Sequence, residues 1–128
     1  MMYLHISSKL PISDVQKAFS NTFPFLKIEF FEKEYKHSHT ISTKKRVSST
    51  IKKLFDFKIN HTTPSDICIH ANMKVTDLEK EFNSLYKLQT QVFRKSGNIW
   101  LEATITDGWT LEEQNNQGEI ITSQLINK

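Results

Sequence analysis

The chain has 128 residues, of which 38% are hydrophobic and 24% are charged, and it contains only 3 glycines and 3 prolines. This composition is that of an ordinary folded protein and excludes a disordered chain, and the length is that of one domain with one core. No apolar run reaches the roughly 20 residues that cross a membrane, and the N-terminus lacks a signal-peptide pattern. The single cysteine, Cys68, excludes an internal disulfide. We therefore expect a cytoplasmic protein.

The net charge of +3 is unevenly distributed along the chain. Positions 33–58 contain eight bases and two acids, whereas the positions from 99 onward contain five acids and one base. A basic centre and an acidic C-terminal part can steer a charged partner, or attract each other within the fold or between two copies.

The chain contains an internal repeat, because residues 4–33 resemble residues 67–95 at a constant offset with one extra residue near Pro24. Two copies are too few for a solenoid. We therefore predict a single domain over 1–128, with repeat 1 at about 1–55, repeat 2 at about 66–118 and a tail at 119–128. The matched pairs include Asp14 and Asp77, Lys17 and Lys80, Phe19 and Phe82, Leu26 and Leu88, and Phe31 and Phe93.

The first copy begins with a strand and a helix over 13–23. Ser13 stands at the N-cap position of that helix and Gln16 at the third helical position. A strand at about 36–43 and a short helix capped by Ser49 or Thr50 complete the copy, and residues 56–65 form a connecting loop. The apolar stripe of the first helix is Val15, Phe19 and Phe23.

The second copy has clearer signals. Residues 66–70 alternate as a half-buried strand, and Thr76 with Glu79 forms a capping box that opens a helix over 76–86. Residues 88–95 alternate again, and a Ser96-Gly97 turn leads into a strand over 98–106, which places Phe93 opposite Trp100. A second capping box, Thr110 with Glu113, opens a short helix that we expect to end at Gly118.

These elements predict an α+β fold. We expect a single, mostly antiparallel sheet with helices on one face, built from two tandem strand-helix-strand-strand-helix repeats related by a pseudo-two-fold axis. A ferredoxin-like arrangement is the nearest alternative. Alternation predicts which strand residues face the helices, and these are Leu4, Ile6, Leu26, Ile28, Phe30, Ile67, Ile69, Leu88, Val92, Leu101 and Ala103.

Residues 72–115, with MKVTDLEKEF followed by QVFRKSGNIWLEATITDGWTLEEQN, resemble an uncharacterised family of small bacterial proteins. The resemblance covers the C-terminal half and implies that this half folds as a unit. The family typically has a glycine at or near Lys87 and an acid where Gly108 stands. It implies no activity, cofactor or functional residue.

The face of the sheet away from the helices is the main candidate interaction surface. Tyr3, Phe31, Phe93 and Trp100 are predicted to lie on it, and exposed aromatic residues are enriched at protein interfaces. Aromatic side chains beside lysine and arginine side chains also bind single-stranded nucleic acid. The basic residues that would contact the phosphates are Lys44, Lys45, Arg46, Lys52 and Lys53.

The apolar residues of the tail could also cover this aromatic face, as an alternative to a separate partner. If the tail covers the face, a monomer with its binding surface elsewhere follows; if it does not, a partner or second copy is expected. The residues concerned are Ile120, Ile121, Leu125 and Ile126.

Signals for chemistry are weak. His37 and His39 lie on one side of an extended segment and are weak candidates for metal ligands. His5 and Cys68 occupy equivalent positions in the two copies and could form the beginning of a nucleophilic site, but no accompanying acid is evident. We therefore expect a non-enzymatic domain without a cofactor that binds a protein partner or a second copy of itself, with single-stranded nucleic-acid binding as the alternative.

Overall fold

The computed structural model describes residues 3–35, 42–47, 52–57 and 66–126, and it contains six strands and three α-helices in these ranges. The N-terminal half contributes a short 3₁₀ helix at Leu54–Phe57 in addition. In chain order the strands and α-helices are β1 (Tyr3–Ile6), α1 (Ile12–Thr22), β2 (Leu26–Tyr35), β3 (Ser42–Val47), β4 (Ile67–His70), α2 (Val75–Tyr86), β5 (Gln89–Ser96), β6 (Ile99–Glu102) and α3 (Leu111–Ile126).

The strands form two antiparallel sheets, so the prediction of an α+β fold is confirmed and the prediction of a single sheet is wrong. Among the described residues, β1 pairs with β4 alone, and the other strands form a four-stranded sheet in the order β3-β2-β5-β6, in a curled, half-barrel arrangement. The ferredoxin-like alternative also requires one sheet and is not observed. Alternation of apolar and polar residues specifies which side of a strand is buried, but not which neighbouring strand it pairs with. The number of sheets was therefore mispredicted.

Both sheets and the helices contribute to one apolar core. Every strand residue that we predicted to face the helices is buried except Leu4, which is partly buried, and Leu101, which is 45% exposed. Leu101 lies on the edge strand β6 opposite Arg94. α3 packs against β5, and Leu101 on the neighbouring strand is about half exposed.

Each of the two repeat helices begins one residue before its predicted span, and its N-cap lies two residues earlier than predicted. Pro11 and Lys74 precede α1 and α2, so Ser13 and Thr76 lie inside the first turn and are not N-caps. At α2 the carboxylate of Asp77 accepts a long hydrogen bond from the Lys74 backbone N–H, at 3.4 Å. The capping box predicted for α3 is confirmed, because the Thr110 and Glu113 side chains each accept a bond of 3.1 Å from the other residue's backbone N–H.

α3 continues through Gly118 to Ile126 and does not end at the glycine as predicted. A Cβ atom at position 118 would lie 2.8 Å from Cβ of Phe25 and 3.1 Å from its carbonyl oxygen. The glycine therefore allows close approach of a helix to the start of β2, and it is not a helix terminator. Asn115 strengthens the same contact by accepting a bond of 2.9 Å from the Phe25 backbone N–H.

Several predictions concern residues outside the described ranges. His37, His39, Ser49, Thr50 and nearly all of the loop at 56–65 lie there, and so does most of the strand expected at 36–43. The strand that the structure shows after β2 is β3, which pairs antiparallel with the second half of β2.

We expect Phe19→Ala and Phe82→Ala each to lower the free energy of unfolding by about 3–5 kcal/mol, because both side chains are fully buried and each truncation leaves a cavity. Urea unfolding followed by circular dichroism measures the loss. Ile105→Ala is the control, since this side chain is 99% exposed and should change stability by less than about 0.5 kcal/mol. A loss below about 1 kcal/mol at either phenylalanine contradicts the core assignment.

We expect Gly118→Ala to destabilise the protein by about 1–3 kcal/mol through overpacking against Phe25. Helix propensity alone favours alanine by about 1 kcal/mol, so the two effects differ in sign and the unfolding measurement separates them. Gly108→Ala is the matched control, because nothing lies within 4 Å of a Cβ atom there. A more stable Gly118→Ala variant would contradict the close packing of α3 on β2.

Candidate functional site

The four-stranded sheet has one side toward the helices and a second side that we call the outer face, made of Lys27, Glu29, Phe31, Arg46, Phe93 and Trp100. Ile28, Phe30 and Val92 are buried on the helix side. Because side chains alternate along a strand, the residues between them point away from the helices. The outer face therefore carries three of the four aromatic residues predicted for the interaction surface.

The fourth predicted residue, Tyr3, belongs to the other sheet. It pairs in register with His70 of β4, and the two rings lie 5.0 Å apart between centroids. Tyr3 is 53% exposed, but its sheet carries a different surface. The sequence predicted the exposure of Tyr3 and, through the single-sheet assumption, assigned it to the wrong group of neighbours.

Phe93 and Trp100 are not directly opposite each other as predicted. The two-residue turn is Gly97-Asn98, with Gly97 at φ +66°, so Ser96 faces Ile99 and Phe93 faces Glu102. Moving the turn by one residue shifts the pairing by two, which keeps every side chain on its predicted side. Phe93 and Trp100 thus remain on the same side of the sheet as diagonal neighbours, a distance that aromatic side chains can span.

Lys27 links the two aromatic rings. It is the register partner of Phe93 on β2, and its ammonium nitrogen lies 5.2 Å from the ring centroids of both Phe93 and Trp100. Such a cation–π contact is worth about 0.5–1 kcal/mol at an exposed site. Sequence reasoning did not predict this contact of Lys27 with the two rings.

Glu29 is the acidic centre of the outer face. Its carboxylate lies 3.1 Å from the Arg46 guanidinium and 3.8 Å from the Lys27 ammonium, and its side chain is only 15% exposed. The predicted basic patch is therefore partly neutralised. The side chains of Lys44 and Lys45 lie outside the described part of the structure, Lys52 contacts the Phe57 ring at 4.6 Å, and Lys53 is exposed.

The apolar tail does not cover the outer face. Residues 119–126 belong to α3, which packs against the inner side of the sheet through Gly118 and a 3.1 Å bond from the Arg94 guanidinium to the Gln114 side chain. Ile120, Leu125 and Ile126 are about half exposed there. Phe93 and Trp100 are each partly buried, and the Lys27 ammonium lies over both rings.

A second cluster lies on the exposed side of the two-stranded sheet. His5 and Cys68 are register partners, as the repeat predicted, and His5 Nδ1 lies 3.6 Å from Cys68 Sγ. The Tyr3 hydroxyl lies 3.2 Å from the same sulfur. The acid that sequence reasoning did not find is Asp66, whose carboxylate lies 3.0 Å from His5 Nε2 and accepts a 2.9 Å bond from the Ser8 backbone N–H.

The four groups shift one another's proton affinities. Hydrogen bonds from Tyr3 and then His5 lower the pKa of the Cys68 thiol. The contacts with Cys68 and then Asp66 raise the pKa of His5, and the Ser8 N–H followed by His5 lowers the pKa of Asp66. The Tyr3 pKa is raised by its contact with the sulfur. All four directions favour a thiolate beside a protonated imidazole.

Metal and membrane sites are not evident in the part of the chain that the structure describes. No group of three or more His, Cys, Asp and Glu side chains there is arranged to hold a metal ion. The helices within the described ranges are also too short or too polar to cross a membrane.

Comparison with known proteins identifies no relative of this chain: no protein-family model, no curated protein and no solved structure matches it. The resemblance of residues 72–115 to a small bacterial family therefore stays a prediction, and function has to be argued from the two surfaces described above.

We expect Asp66→Asn to lower stability in a pH-dependent manner. Asp66 has a lowered folded pKa, so its contribution is fully present above its unfolded pKa of about 3.9 and is lost as the pH falls through the folded value. His5 has a raised folded pKa, so its contribution is fully present below about 6.5 and is lost as the pH rises through the folded value. The difference in urea midpoint between wild type and variant should thus be largest between about pH 4 and pH 6.5.

Asn is a suitable replacement because its oxygen still accepts the Ser8 N–H. Asp14→Asn on α1 controls for the loss of one exposed carboxylate. A difference between wild type and Asp66→Asn that stays constant from pH 3 to pH 9 would contradict the pairing with His5.

Proposed function

We propose that this chain is a non-enzymatic protein-interaction domain, and that its contact surface is the outer face of the four-stranded sheet. The observation that carries the proposal is the Phe93–Trp100 pair, with Lys27 lying 5.2 Å from both rings on the side of the sheet opposite the buried core residues. Trp and Arg residues dominate the binding energy of protein interfaces, and tryptophan is most effective near the centre of the patch.

Contacts among its own side chains and the strand register position the groups of the outer face. Lys27 fixes the aromatic pair, Glu29 holds Lys27 and Arg46, and the strand register fixes all of their backbones. Side chains that are already restrained lose less conformational entropy on association. A preorganised aromatic pair with a charged rim matches the usual organisation of a protein interface.

Single-stranded nucleic acid is the second candidate, because aromatic residues and cations lie together on this face. Two features weigh against it. A stacking base would have to displace the Lys27 ammonium from the rings, and the carboxylates of Glu29 and Glu102 lie where phosphates would approach. The Arg46 guanidinium is also engaged by Glu29.

We also infer that the two halves of the chain are tandem copies related by a pseudo-two-fold axis. The pairing supports this, because β1 pairs with its counterpart β4, and β2 with its counterpart β5. The helix entries support it too: Ile12 N–H donates to the Lys52 carbonyl at 3.0 Å, and Val75 N–H donates to the Trp109 carbonyl at 3.2 Å. A crystal structure in which Phe19 and Phe82 did not superpose after overlay of the halves would contradict the duplication.

We expect Trp100→Ala to weaken self-association or partner binding by about thirty-fold in Kd, which corresponds to a hot-spot loss of about 2 kcal/mol. Sedimentation velocity over a range of concentrations measures self-association, and capture from a host lysate measures binding of another protein. The matched control is Trp109→Ala, which removes the chain's other tryptophan, a ring that contacts Arg94 on the helix side of the sheet. Equal behaviour of wild type and Trp100→Ala in both measurements contradicts the proposal.

Fluorescence separates the nucleic-acid alternative from protein binding. In a Trp109→Phe background, Trp100 is the only tryptophan, so its emission reports on the outer face alone. Stacking predicts quenching by single-stranded oligonucleotides with an affinity that falls steeply as salt rises. Protein binding predicts no quenching at low salt together with a concentration-dependent or captured complex that Trp100→Ala disrupts.

A further inference from the structure

The exposed side of the two-stranded sheet contains the three parts of an activated nucleophile. Cys68 supplies an exposed thiol, His5 Nδ1 lies 3.6 Å from its sulfur, and Asp66 lies 3.0 Å from the other ring nitrogen of His5. Side chains such as Cys are activated by a base within hydrogen-bond reach, and a third group orients that base.

The hydrogen bonds determine which nitrogen of His5 can act as the base. An ionised Asp66 carboxylate is an acceptor only, so His5 Nε2 must carry the hydrogen that it donates to Asp66. In the neutral ring this leaves the lone pair on Nδ1, the atom beside Cys68 Sγ. The Tyr3 hydroxyl lies 3.2 Å from Cys68 Sγ. Once the Cys68 thiol is ionised, this hydroxyl can donate a hydrogen bond to the thiolate.

We propose that Cys68 is a reactive thiol that undergoes thiol–disulfide exchange with small-molecule disulfides, with His5 as its base, Asp66 as the residue that positions His5, and Tyr3 as a donor to the thiolate. His5 Nδ1 takes the proton of the thiol, and the thiolate attacks one sulfur of the disulfide. A new S–S bond to Cys68 forms as the original S–S bond breaks. The released thiolate then takes the proton from His5, so the products are a mixed disulfide on Cys68 and one free small thiol.

Disulfide exchange is the reaction that this site serves best. The reaction requires an attacking thiolate, a leaving thiolate and an accessible sulfur. The lowered pKa and the exposure of Cys68 provide the attacking thiolate and its access, and the small disulfide provides the leaving thiolate. Acyl transfer would additionally require donors aimed at an oxyanion. Because the sequence contains one cysteine, the mixed disulfide has no resolving thiol in the same chain. The modification is therefore stoichiometric, and an external thiol must reverse it.

The single cysteine also makes the test unambiguous. The full chain is mixed with the neutral disulfide dithiodipyridine, and the rate of release of the chromogenic thiol is followed from pH 5 to pH 10. We expect an apparent thiol pKa below the ordinary value of about 8.5 and, at pH 7, a rate several-fold above that of the same chain unfolded in urea. Incubation with glutathione disulfide should add one glutathionyl group by intact mass, and Cys68→Ser should abolish the adduct.

Variants distinguish the proposed roles from a general effect of folding. His5→Gln should move the pH–rate profile toward that of an ordinary thiol, and Tyr3→Phe should move it in the same direction. His70→Gln is the matched control, since this histidine lies on the same sheet and contacts the Tyr3 ring, and its profile should match wild type. A wild-type profile that is unchanged by unfolding, or one that neither His5→Gln nor Tyr3→Phe alters in folded protein, would overturn the proposal.

Discussion

The pairing of β2 with β5 is the constraint on which the rest of this structure depends. The two strands come from opposite halves of the chain and lie at the centre of the four-stranded sheet, in register from Leu26 with Arg94 to Phe31 with Gln89. Bringing them together closes a long loop at an entropic cost, which is offset by the burial of apolar side chains such as Ile28, Phe30 and Val92 beneath the helices. The edge strands β3 and β6 then add to this pair, and α3 packs against its inner side.

The same pairing creates the outer face, because a strand that buries every second residue must present the others on its opposite side. Lys27 meets Phe93 only because the register makes them direct partners. The polar and aromatic groups of the outer face therefore need no loop to position them; rigid backbone does so. This distinguishes the surface from a flexible recognition loop, whose binding would include the cost of ordering it.

The sequence predicted local features well and long-range features poorly. Both repeat helices were located within one residue at each end, and the α3 capping box was correct, because these depend on residues three or four positions apart. The β5–β6 register was wrong by two residues because Ser96-Gly97 and Gly97-Asn98 are both acceptable turns. Gly118 was interpreted as a terminator because its neighbour Phe25 is distant in sequence. Asp66 was missed, although its spacing of two from Cys68 along an extended chain placed both on one side.

The position of His5 opposite Cys68 has an evolutionary consequence. If the halves descend from one repeat, His5 and Cys68 occupy the same ancestral position. They pair with each other in the β1–β4 register, so this position would lie on the symmetry axis. A symmetric homodimer of that ancestor would have presented the identical side chain twice, either two thiols or two imidazoles. A nucleophilic thiol facing a basic imidazole requires two unlike side chains there. Under this hypothesis, fusion of the copies into one chain would remove that restriction, because each half could then mutate without changing the other.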